Sequence, residues 1–96
     1  MMRTNYAKQK MHGAIQVLAG TGDLEDRIAA AAGVLIHIDE TDIPSQLAAE
    51  FADLKLMLFD MSDSSRGIFW ARNPSKETAK LAAVKLVDLY VTLIRL

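Results

Sequence analysis

The densest group of side chains that could bind a metal ion is formed by His37, Asp39, Glu40 and Asp42. An imidazole and carboxylates together are suitable ligands for a divalent cation. Their spacing, however, lacks the i, i+4 pair with which a helix directs two ligands at one metal. It also lacks the central glycine of a calcium-binding loop. We therefore expect these residues to end one helix and cap the next, and we predict neither a bound metal nor a cofactor.

A second candidate for chemistry is His12, which lies on the polar side of the first predicted helix, one turn after Lys8. A histidine exposed on a helix, with a cation beside it to hold a phosphoryl group, resembles the site of phosphotransfer four-helix domains. Gly13 follows directly, and the lysine and glycine that this family carries one turn after its histidine are missing. The resemblance implies a phosphotransfer or enzymatic unit using His12, or alternatively His37. A surface histidine without a catalytic role is the simpler interpretation.

The rest of the sequence shows no catalytic signature. Ser62, Ser64 and Ser65 have no histidine near them in the chain, and residues 20–22 lack the lysine of a phosphate-binding loop. Because the chain contains no cysteine, it has no thiol nucleophile, no thiolate metal site and no disulfide. We therefore predict a protein that is not an enzyme.

The single tryptophan lies in an irregular segment, with arginines on both sides and Phe69 before it: Arg66, Phe69, Trp70 and Arg72. Tryptophan and arginine dominate the binding energy of many protein interfaces. The same mixture can stack on single-stranded nucleic acid, but a net charge of −1 argues against that partner. The remaining interpretation is that the two aromatic rings close one end of the hydrophobic core.

Hydrophobic periodicity predicts four helices, at about residues 4–19, 23–38, 44–60 and 74–96. Turn-forming residues in the stretch 61–75 separate the third helix from the fourth. The chain has 96 residues, which suffices for one hydrophobic core. We therefore predict a single all-α domain over residues 1–96, a compact four-helix bundle with antiparallel helices and a long C-terminal helix.

Two helix ends carry more apolar side chains than a small monomer normally buries. Residues 56–59 are apolar on every side of one helical turn, and residues 84–96 contain only three charged side chains. A surface helix usually keeps about half of its circumference in water. We therefore predict a contact surface that includes the outer side of residues 84–96. Its predicted residues are Leu56, Met57, Leu58, Phe59, Arg66, Phe69, Trp70, Arg72, Tyr90 and Leu93.

The predicted function is a non-enzymatic protein–protein interaction module that self-associates as a homodimer, docks on a larger partner, or both. A small inhibitor or adaptor of the phage–host or toxin–antitoxin kind is a further alternative. The longest uncharged stretches, residues 11–22 and 28–38, are shorter than the ~18–20 residues that cross a bilayer. We accordingly expect a cytoplasmic protein that binds neither membrane nor nucleic acid.

Overall fold

The computed structural model describes residues 4–60, 70–71 and 74–96 of the chain. These residues form four α-helices: α1 (Thr4–Leu18), α2 (Leu24–Leu35), α3 (Ala48–Leu58) and α4 (Lys76–Ile94). Two 3₁₀ turns connect α2 to α3: Glu40–Asp42 and Ser45–Leu47. After α3, two very short strands pair antiparallel: β1 (Phe59–Asp60) and β2 (Trp70–Ala71). The all-α fold is confirmed, and the antiparallel arrangement of the helices stays a prediction.

The hydrophobic core takes one face from each helix. On α1, the predicted polar stripe is exposed, and the predicted apolar stripe is buried: Ala7, Met11, Ala14 and Leu18. On α2, the buried side chains are those of Ile28, Ala31, Ala32 and Leu35. α1 packs against α2 and α4, and α4 also contacts α2 and α3. The radius of gyration is 12.6 Å, close to the ~12.5 Å expected of a compact domain of this length.

The turn between α1 and α2 is held by Arg27 and Gly22. Arg27 donates two hydrogen bonds from its guanidinium, one to the carbonyl of Leu18 at 2.6 Å and one to the carbonyl of Gly22 at 3.1 Å. The carbonyl of Leu18 belongs to the last turn of α1, where no intrahelical donor is available. Gly22 has a φ of 107°, a conformation that residues with a Cβ rarely adopt.

α2 ends at Leu35, three residues before the predicted end at Ile38, because the chain turns into a separate capped segment. The Asp39 carboxylate accepts a hydrogen bond from the backbone N–H of Thr41 at 3.2 Å. The Asp42 carboxylate accepts one from the backbone N–H of Asp39 at 3.1 Å. This reciprocal capping stabilises the first 3₁₀ turn. Ile38 remains buried although it lies outside the helix.

The ends of α3 and α4 also differ from the prediction. Pro44 precedes the second 3₁₀ turn, and α3 begins only at Ala48. α3 ends at Leu58, because the backbone of Phe59 is extended and pairs with Ala71. Ser75 caps α4 by accepting a hydrogen bond from the backbone N–H of Thr78 at 3.2 Å. The predicted start at residue 74 is therefore two residues too early.

Candidate functional site

Three residues of the predicted contact surface belong to the hydrophobic core of the chain itself. Leu58 and Phe59 are each 2% exposed, and Leu93 is completely buried. Leu58 and Leu93 lie on the core sides of α3 and α4, and the change to extended backbone at residue 59 turns the Phe59 ring inward. Their apolar character is explained by burial within one chain, so we remove all three from the candidate surface.

The other described members of the predicted surface lie on different elements of the fold. Leu56 is 57% exposed on α3, and Met57 is partly buried against the core. Tyr90 is partly buried on α4, where its ring stacks on that of His12 with centroids 6.0 Å apart and an interplanar angle of 28°. The backbone of Trp70 pairs with Asp60 in the short strand pair. The predictions for Arg66, Phe69 and Arg72 lie outside the described residues.

The outer side of α4 carries a continuous row of apolar side chains. We call Val84, Val87, Val91 and Ile94 the outer stripe; their spacing of three, four and three residues places them on one side of the helix. The exposed fraction is 61% for Val84, 41% for Val87 and 48% for Ile94, and Val91 is partly buried. Apolar periodicity alone would also allow Ile94 on the buried side of this helix, but Ile94 is exposed.

α4 is therefore apolar on two opposite sides. Its core side consists of Ala79, Ala82, Leu86, Leu89 and Leu93, which are buried against the other helices. The outer stripe lies roughly 140° around the helix from the centre of that side, at about 100° per residue. A helix that is apolar on more than one side is normally covered on more than one side. The other described helices leave Val84, Val87 and Ile94 exposed and Val91 partly buried.

A recess opens along the outer stripe where the small side chain of Ala83 leaves space. Its volume is about 280 Å³, and it is lined by Ala83, Val84, Val87 and Asp88. These residues occupy adjacent turns of α4, so the recess is a depression between side chains of a single helix. Packing between helices commonly places one side chain into such a depression on the facing helix.

A larger groove lies between α3 and α4, and we refer to it as the α3–α4 groove. It has a volume of about 400 Å³ and is lined by Glu50, Met57, Leu81, Val84, Lys85 and Asp88. Leu81 is 62% exposed, the largest exposed fraction among the large hydrophobic side chains in the described residues. The sequence analysis missed Leu81 and this groove, because the groove depends on the distance between two helices far apart in the chain.

The candidate metal ligands are used in backbone hydrogen bonds or point to solvent. The Asp39 and Asp42 carboxylates take part in the reciprocal capping described above, and Asp42 is buried there. His37 and Glu40 are exposed. Among the described residues, no three histidine, aspartate or glutamate side chains are grouped as metal ligands would be.

His12 is exposed on α1, as the polar stripe predicts, and Lys8 one turn earlier is partly buried. The nearest described ring is that of Tyr90, which covers one face of the imidazole. This arrangement links α1 to the edge of the outer stripe. Tyr90 is preceded and followed on its side of α4 by apolar residues.

None of the helices in the described ranges combines the length and apolarity that crossing a membrane requires. Neither a protein-family model, nor a curated protein, nor a solved structure matches the chain.

Proposed function

We propose that this chain is a non-enzymatic interaction module that forms a reversible homodimer through the outer stripe of α4. The observation that carries this proposal is that α4 is apolar on two opposite sides, while the described residues of one chain bury only one of them. Contiguous apolar surface of this kind is characteristic of protein interfaces.

The outer stripe of one copy has the side chains and the recess needed to pack against the outer stripe of a second copy. The stripe supplies β-branched side chains at helical spacing, and the recess beside Val87 accepts a side chain of similar size. One copy therefore presents both the projecting side chains and the depression that receives them. A two-fold symmetric dimer requires such self-complementarity, because the same patch of both subunits forms the interface.

The charges beside the stripe also permit self-association. Asp88 and Arg95 lie seven residues apart along the same edge of α4 and carry opposite charges. Two copies of this edge meet without an excess of one sign, so long-range repulsion between them is small. The stripe itself contains no charged residue between Val84 and Ile94 on its own side of the helix.

The size of the stripe predicts a weak dimer. The outer stripe runs from Val84 to Ile94, about 15 Å along the helix axis, and a helix is about 10 Å wide, so the footprint is roughly 150 Å². Standard stable interfaces bury about 800 Å² on each partner. We therefore expect a dimer that dissociates on dilution.

The test compares two matched substitutions of exposed β-branched residues. Val87 in the outer stripe is 41% exposed, and Ile36 at the end of α2 is 40% exposed. A buried unpaired ammonium at the interface is costly, so Val87→Lys should weaken association at least tenfold, about 1.4 kcal/mol. Ile36→Lys should leave it unchanged. Analytical ultracentrifugation of both variants measures the dissociation constants, and equal constants would contradict the proposal.

The alternative functions have less support in the described structure. A phosphotransfer role for His12 or His37 is favoured only by the exposure of their imidazoles. A His12→Ala variant that keeps the full biological activity of the chain would remove the first of these alternatives. The role of a small inhibitor or adaptor is compatible with an interaction module, since it concerns the identity of the partner.

A further inference from the structure

We propose that the α3–α4 groove is a docking site for an amphipathic, positively charged helix of a partner protein. The proposal does not rest on the homodimer, because the groove requires residues of α3 that the outer stripe does not include, although Val84 and Asp88 border both surfaces. It identifies a second binding surface of the molecule, and it specifies that the partner segment is amphipathic and positively charged.

The floor of the groove is apolar. Met57 contributes from α3, and Leu81 and Val84 contribute from α4. Leu81 and Val84 are each more than 60% exposed, so most of their surface faces water in the unliganded chain. An amphipathic helix that lies in such a groove buries apolar side chains at positions i, i+3 or i+4, and i+7.

The rim of the groove is acidic. Glu50 and Asp88 line it, and Lys85 is the one base among its described lining residues. Asp53 lies one turn before Met57, and Glu77 lies one turn before Leu81, and both are exposed. On the side of α4 that carries the outer stripe, Lys80 lies one turn before Val84.

These acids and bases leave two negative charges in excess around the groove. Glu50, Lys85 and Asp88 form no ion pair within the described part of the chain, so no described residue neutralises their charges. Acidic and basic patches that face each other select the partner and accelerate its association. Lysine or arginine on the flanks of the docked helix would meet Glu50 on one side and Asp88 on the other.

The test uses three synthetic peptides of equal length and the full chain. The first is a leucine–lysine peptide with leucine at heptad spacing, the second has glutamate in place of lysine, and the third is a scrambled leucine–lysine sequence. Fluorescence anisotropy measures affinity, and amide chemical shifts in a ¹⁵N-labelled chain locate the binding site. We expect saturable binding of the first peptide, with affinity at least tenfold above the other two. The largest shifts should occur at Met57, Leu81 and Lys85.

Two pairs of matched variants separate the groove from the rest of the surface. Leu81→Lys in the groove is compared with Leu56→Lys on α3, because the two leucines are 62% and 57% exposed. Glu50→Lys on the rim is compared with Glu40→Lys in the first 3₁₀ turn, because both glutamates are exposed. The groove variant of each pair should lower the affinity at least fivefold relative to its control.

Several results would overturn the proposal. These are no binding of the leucine–lysine peptide at millimolar concentration, equal binding of the scrambled peptide, and equal losses in the members of each pair. Amide shifts confined to residues outside the groove would also contradict it. Since Val87 does not line the groove, the Val87→Lys variant should bind the peptide with unchanged affinity. That measurement distinguishes failure of the groove from failure of the homodimer.

Discussion

Val84 and Leu86 are two residues apart on α4 and project from opposite sides of the helix. Val84 is 61% exposed, whereas Leu86 is completely buried, although both side chains are aliphatic and of similar size. Two residues correspond to a rotation of about 200° around a helix. The hydrophobic effect that draws Leu86 into the core therefore acts on Val84 as well, but the described residues of one chain leave most of the Val84 side chain in water.

This relationship predicts different costs for two neighbouring truncations near the end of α4. Leu93→Ala should lower the free energy of unfolding by about 2–5 kcal/mol, because it leaves a cavity in the core. Ile94→Ala should change it by less than about 1 kcal/mol, because Ile94 faces solvent in the monomer. Urea denaturation at low protein concentration, where monomer predominates, measures both values. Losses of equal size would show that the assignment of the two faces is incorrect.

The two glycines Gly22 and Gly33 should respond to alanine in opposite directions. Gly22 has a φ of 107°, so Gly22→Ala should destabilise the chain by about 1–2 kcal/mol. Gly33 lies within α2, and no atom lies within 4 Å of the position that its Cβ would occupy. Gly33→Ala should stabilise the chain by about 0.5–1 kcal/mol, since alanine favours the helix. Thermal denaturation of the two variants side by side checks the signs, and a stabilising Gly22→Ala would contradict the turn geometry.

Arg27 should stabilise the α1–α2 turn through its two hydrogen bonds to backbone carbonyls. Removing them in Arg27→Ala should lower the free energy of unfolding by about 1–2 kcal/mol, because the side chain is only partly buried. Arg27→Lys keeps the charge but cannot present two donors in the same planar arrangement, so it should recover less than half of that loss. Full recovery by lysine would mean that charge alone, and not the paired hydrogen bonds, accounts for the effect. Chemical denaturation of the three proteins makes the comparison.

The regular parts of the fold could be predicted from the sequence where a helix has a clear apolar period. The stripe of Ala7, Met11 and Ala14 on α1 is an example, since its members recur every three to four residues with Lys8, Gln9, Lys10 and His12 between them. The end of α3 could not be predicted. The run of four apolar residues at 56–59 has no period of its own, and the extended backbone of Phe59 depends on pairing with Ala71, twelve residues further along the chain.

For α4, the sequence likewise does not show which side of the helix is covered. The sequence pattern assigns Leu93 both to the core and to the contact surface, because residues 84–96 are apolar on nearly all sides. Only the packing of α1, α2 and α3 against the helix decides which side is covered, and it covers Leu93 while leaving Ile94 exposed. The α3–α4 groove could not be predicted from the sequence, because only the fold brings its residues on the two helices together.

The central claim, that the outer stripe of α4 is covered by a second copy, is tested most directly by the mass of the chain in solution. Light scattering coupled to size exclusion should be recorded over a wide range of protein concentration. We predict a mass that rises from 10.6 kDa towards twice that value as the concentration increases. The Val87→Lys variant should remain at the lower mass over the same range. A constant monomer mass for the unmodified chain up to millimolar concentration would contradict the account.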